Sequence, residues 1–207
     1  KGKSVIRKCK KALDRMKRGI DLLENDETVL QAFLFMNQVM YMQQAITDHC
    51  RHYDAEERHK LEDSLKEIEN RSCWRPFQIA FILLNMYGMV HGESEEREIV
   101  DLLFFPTGGG KTEAYLGLMA FTIAYRRLSS KSETEYEKDG GVTVLLRYTL
   151  RLLTMQQRDR ILKLVIAMEM QRSAHPEIWG NERISIGFWV GGSVTPNRFS
   201  EYNEANH

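Results

Sequence analysis

The stretch FFPTGGGKTEAY, Phe104 to Tyr115, decides how the rest of the chain is read. Gly108, Gly109 and Gly110 can adopt the positive φ values that turn successive backbone N–H groups inward toward an anion. Lys111 can reach β- and γ-phosphates, and the Thr112 hydroxyl can hold Mg²⁺. An apolar run before the turn and a helical pattern after it would aim a helix N-terminus, with its partial positive charge, at the same anion. Against the general pattern G-x-x-x-x-G-K-[ST], Gly110, Lys111 and Thr112 match, while Phe105 stands where the first glycine is usual.

On either side of this loop the residues predict alternating strands and helices. Ile79–Met89 reads as a buried helix, Glu98–Phe105 as a strand, Thr112–Leu128 as a helix, Val142–Leu146 as a second strand, Leu150–Arg172 as a long helix and Ile184–Val190 as a third strand. Such alternation predicts a parallel sheet flanked by helices, with ligands at the carboxyl ends of the strands. Ser129–Gly141 is polar and reads as a surface loop.

Before Trp74 the pattern is helical. Val29, Phe33, Met36, Met40 and Ile46 recur at three- to four-residue spacing, and the methionines read as core filling. The helical pattern breaks at Ser72–Pro76, because the residue before a proline avoids the helical region. The expected organisation is therefore a helical segment over 1–72 and an α/β domain over 73–207.

Composition limits the function classes. The 207 residues carry 29 basic and 29 acidic side chains, so net charge points to no polyanionic partner, and an apolar fraction of 43% is that of a folded protein. The basic run from Lys1 to Arg18 reads as a solvated face. Cys9, Cys50 and Cys73 are too few and too scattered for a disulfide framework, which fits a reducing compartment. His49, Cys50, His52 and His59 form the densest set of potential metal ligands, without the paired cysteines of a zinc site. Phe77–Val90 is shorter than the roughly 18 residues that a membrane span needs. No segment resembles a signal peptide, so a cytoplasmic location is expected. A chain that opens at Lys1 inside a helical pattern reads as part of a longer polypeptide.

Pro-Thr-Gly-Gly-Gly-Lys-Thr, Pro106 to Thr112, resembles motif I of superfamily 2 helicases and translocases. Three further stretches carry the same resemblance. Trp74-Arg75-Pro76-Phe77-Gln78 is similar to the adenine-recognition motif of that superfamily, 33 residues before Lys111. Leu146–Leu152 is similar to motif Ia, with Tyr148 in place of the usual proline and Arg151 shifted by one position. Val190-Gly191-Gly192-Ser193 is similar to the Gly-Gly motif. Over about residues 74–197 the resemblance narrows to the helicase subunits of the DISARM anti-phage systems.

This resemblance implies a RecA-like first motor domain, cut short before the acidic Asp-Glu motif, in an ATP-dependent DNA helicase or translocase. It implies ATP and Mg²⁺ as cofactors, bound by Gln78, Thr107, Gly108, Gly109, Gly110, Lys111 and Thr112. Lys111 and Thr112 would be the catalytic residues, with Thr112 on the metal. DNA, single-stranded or with a single-stranded end, would be held at Tyr148, Thr149, Arg151, Gly191 and Gly192, and a DrmB-type subunit would be the protein partner. Two other classes fit the phosphate loop taken alone: a P-loop phosphotransferase, and a nucleotide-switched interaction module that does not translocate. Stimulation of ATP hydrolysis by DNA separates the first of these from a motor.

Overall fold

The computed structural model describes residues 2–52, 60–69, 71–106, 108–129, 140–147 and 151–188. Its helices are α1 (Gly2–Asn25), α2 (Glu27–His52), α3 (Leu61–Ile68), α4 (Pro76–Val90), α5 (Lys111–Ser129), α6 (Arg151–Ala174) and the short α7 (Pro176–Trp179), with a 3₁₀ turn at Glu95–Glu98. Asp26 separates α1 from α2, and its carboxylate accepts from the Val29 N–H at 3.1 Å, capping the second helix. Pro76 opens α4, where its missing N–H costs nothing.

One core joins these helices. Met36 and Val39 of α2, Ile82 and Met86 of α4, Phe121 of α5 and Leu164 and Met168 of α6 are all fully buried in it. The three- to four-residue apolar spacing in α2 thus serves packing on several sides at once. α1 lies along α4, and a Cβ at Gly19 would collide with the Leu83 carbonyl, so only glycine permits this approach.

The α/β, RecA-like fold with a parallel sheet does not hold: among the described residues there is no strand and no sheet. The helices fall where expected, whereas 99–106, 142–147 and 183–188 run without helix and without ladder partners. Residues 189 and 190 of the third expected strand lie outside the described residues.

Exposure alternates along part of two of these segments. Val100, Leu102 and Phe104 are exposed while Asp101 and Leu103 turn inward, and Ile184 and Ile186 turn inward on either side of exposed Ser185. Alternating apolar residues specify a two-faced extended segment, but the ladder depends on a neighbour elsewhere in the chain. Charged side chains from the helices hold the segments instead. Arg15 of α1 donates to both Asp101 oxygens at 2.8 and 2.7 Å. Arg126 of α5 donates to the Gly140 carbonyl at 2.8 Å and the Thr143 hydroxyl at 2.6 Å. Glu169 of α6 accepts from the Ile184 N–H at 3.0 Å.

Arg15 also corrects the reading of the basic N-terminus as a solvated face. Its neighbours are mostly exposed, but Arg15 is buried, with its Nε 3.1 Å from Glu96. The bond to Asp101, aided by Glu96, raises its pKa above the ordinary arginine value despite burial. Arg18 pairs with the same Glu96 and lies 4.9 Å over the Tyr87 ring, fastening α1 to the end of α4.

Candidate functional site

The glycine turn leads directly into α5, whose first residue is Lys111. Gly108 has φ +81° and Gly110 φ +90°, values an L side chain rarely adopts, and the Gly109 N–H donates to the Pro106 carbonyl at 3.1 Å. At Gly109 the restriction is steric, since a Cβ there would strike the Phe105 ring. All three glycines are therefore required, by two different constraints.

The segment Trp74–Gln78 packs against this turn and the start of α5. The Arg75 guanidinium donates to the Gly109 carbonyl at 2.7 Å, and the Gln78 amide donates to the Gly110 carbonyl, also at 2.7 Å. Phe77 stacks on Phe105 with ring centres 4.0 Å apart. The Trp74 ring lies where a Cβ on Gly117 would come within 2.6 Å of it, and its indole N–H donates to Asn37 on α2 at 2.6 Å. Two stretches 33 residues apart in sequence thus form a single interlocked unit.

Gln78 is buried, and its oxygen accepts from the Arg75 N–H at 2.8 Å, capping the first turn of α4. A primary amide has two N–H donors and two lone pairs, so each end keeps one unused. The Gly109 and Gly110 carbonyls point toward α4, and because a trans peptide sets N–H antiparallel to C=O, the N–H groups of Gly110 and Lys111 point the opposite way. The Lys111 ammonium folds back over the turn, donating to the carbonyls of Phe105 and, at 3.2 Å, Pro106. Thr112 is the second residue of α5 and is half-buried.

Beside the turn, α2, residues 72–75 and Glu113 enclose a cleft of about 440 Å³. Tyr41 stands in its α2 wall, fixed by donation to the Leu65 carbonyl at 2.6 Å. Glu113, which sequence reasoning missed, pairs through Oε1 with Arg160 of α6, while its Oε2 is buried with no hydrogen-bond donor among the described residues. Burial first, and Arg51 second, push the Arg160 pKa below the ordinary arginine value. Glu113 has one local signal, an acidic side chain in the first turn of a helix; Arg160 has none.

Of the other expected site residues, Thr107, Tyr148, Thr149, Gly191 and Gly192 lie outside the described residues. Arg151 is the first residue of α6, and its side chain is also outside them. Among the described residues no group of three His, Cys, Asp or Glu side chains is arranged to hold a metal ion, and His59 is not among them. Cys9, Cys50 and Cys73 are free thiols, all exposed. No helix among the described residues is long and apolar enough to cross a membrane.

What this geometry defines is a glycine turn at a helix N-terminus, braced by an Arg-Pro-x-Gln corner. The chain is 50% identical over 202 residues to the DISARM protein DrmA of Bacillus paralicheniformis, a match covering 97% of this chain and 18% of that protein. The chain thus spans less than a fifth of the length of the curated relative it matches. No family model matches it.

Proposed function

We propose that this chain is the nucleotide-gripping part of an anti-phage defence protein of the DISARM type, an ATP-driven DNA helicase or translocase of superfamily 2 in its full-length form. The observation that carries this reading is the seating of Arg75 and Gln78 on the carbonyls of Gly109 and Gly110. The 50% identity to a DISARM protein supplies the context.

The residues present fit a nucleoside triphosphate. Positive φ at Gly108 and Gly110, with Gly109 closed to any side chain, makes a bare-backbone cradle, and the helix start adds N–H groups and a partial positive charge. Lys111 would exchange the carbonyls of Phe105 and Pro106 for phosphate oxygens, and the spare N–H and lone pair of Gln78 would read a base edge. Thr112 would offer its hydroxyl to Mg²⁺. Bound ATP and Mg²⁺ would supply the transferable phosphoryl group and its charge neutralisation. In this reading Tyr148, Thr149, Arg151 and the Gly191-Gly192 pair hold the DNA, and a DrmB-type subunit is the protein partner.

The test is Lys111→Ala in the full-length protein. Removing the cation that meets developing phosphate charge should reduce ATP hydrolysis by a factor of about 10² or more, with the melting temperature unchanged. A steady-state rate near that of the unmodified protein would overturn the reading.

A further inference from the structure

Lys111 and Thr112 sit in the first turn of α5, and Arg75 and Gln78 brace that region from the α4 side only. Its other brace comes from α6, where the Arg160 guanidinium holds the Glu113 carboxylate. The carboxylate lies against the turn itself, with Oε2 3.3 Å from the position of a Cβ on Gly110. A negative charge so close to a phosphate-binding turn opposes the ligand unless it is neutralised, and Arg160 is the cation bonded to it.

Arg160 is also placed to transmit. α6 begins at Arg151, two positions after Thr149 in sequence, and Arg160 lies nine residues further on, about 13 Å along the helix. A shift or rotation of the start of α6 therefore moves the guanidinium relative to Glu113. As a plain ion pair this contact is worth little, because the side chains are 38% and 27% exposed and solvent screens such pairs. Its value lies in what it joins.

Resting on the functional reading above, we propose that Arg160 is a positioning residue that couples DNA at the start of α6 to phosphate handling at Lys111 and Thr112, acting through Glu113. With DNA in place, α6 holds the Glu113 charge in its neutralised position and the turn accepts triphosphate. When α6 shifts, the carboxylate is released toward the turn and opposes it.

The experiment measures ATP hydrolysis by the full-length protein with and without a single-stranded DNA oligonucleotide, for the unmodified chain, Arg160→Gln and Arg160→Lys. Arg160→Gln should cut the stimulation by DNA, the ratio of the two rates, roughly tenfold, the range of ordinary coupling energies, while the oligonucleotide affinity and the melting temperature hold. Arg160→Lys keeps the charge and should restore most of the stimulation. Should Arg160→Gln lower the melting temperature, Arg160→Lys and the exchanged pair Glu113→Arg with Arg160→Glu decide by the same ratio. Full stimulation in Arg160→Gln, or an equal fall in the DNA-free and DNA-stimulated rates, overturns the coupling. So does an unmodified protein that hydrolyses ATP in a Lys111-dependent way without responding to DNA. Hydrolysis indifferent to Lys111→Ala is the separate result that sinks the phosphate-site reading.

Discussion

The helices and the three extended segments of this protein are both rich in apolar side chains and end in opposite situations. In the helices Met36, Ile82, Phe121 and Leu164 are fully enclosed by one another. In the extended segments Leu102 is 87% exposed, Phe104 91% and Leu145 88%. A helix satisfies its backbone internally and needs neighbours only for its apolar stripe, whereas an extended segment needs a partner for its backbone as well. The helical part is therefore held by burial, and the extended part by the few apolar side chains it sends into that core, Val144, Ile184 and Ile186, together with charged side chains reaching across from the helices.

If that contrast is sound, the largest effect belongs to the helical core. Phe121→Ala empties a fully buried site among α2, α4 and α6 and should cost roughly 3–5 kcal/mol in equilibrium unfolding by urea. A loss below about 1 kcal/mol would mean that the core is not the shared support described here.

Glu169→Gln tests the ties. The carboxylate accepts from Arg172 at 2.8 and 2.7 Å and from the Ile184 N–H at 3.0 Å, and the Arg172 bond chiefly holds its pKa below the ordinary glutamate value. A depressed carboxylate pKa contributes stability above the unfolded value, lost as pH falls through the folded one. The variant should be less stable at neutral pH by about 1–2 kcal/mol, and the difference should close as the unmodified chain is acidified below the glutamate range. Thermal melts from pH 7 to pH 3 measure it, and a gap that persists in acid would assign the effect to packing.

The smallest effect is predicted for Leu102→Thr. With 87% of the side chain in solvent, stability should change by no more than about 0.5 kcal/mol, and a larger loss would reveal a covered face that the contrast denies.

The same contrast explains what could be read from the chain. Val29, Phe33, Met36 and Met40 announce a helix because the 3.6-residue repeat is local, the runs expected at Ile79–Met89 and Thr112–Leu128 fall within α4 and α5, and α6 covers 151–172 of the run expected at Leu150–Arg172. The apolar runs expected as strands at Glu98–Phe105 and Ile184–Val190 were legible as short apolar stretches, but a sheet is a relation between segments, and no local pattern states whether that relation forms. The glycine turn was legible because φ requirements are written into residue type. The bonds from Arg75 and Gln78 to its carbonyls were not, and neither was Arg160 on Glu113. Those depend on how α4 and α6 lie against α5, which rests on the whole core.

Trp74 turns this architecture into an optical instrument. Its ring is wedged against Gly117 of α5, its N–H is fixed on Asn37 of α2, and it lines the cleft beside the glycine turn. Indole emission depends on the polarity and mobility around the ring, so filling the cleft, or moving α5 relative to α2, registers in the native fluorescence without an attached dye. Trp179 is buried against Phe35 instead, with ring centres 4.2 Å apart, and because it and Trp189 emit as well, the Trp74→Phe variant isolates the signal of Trp74.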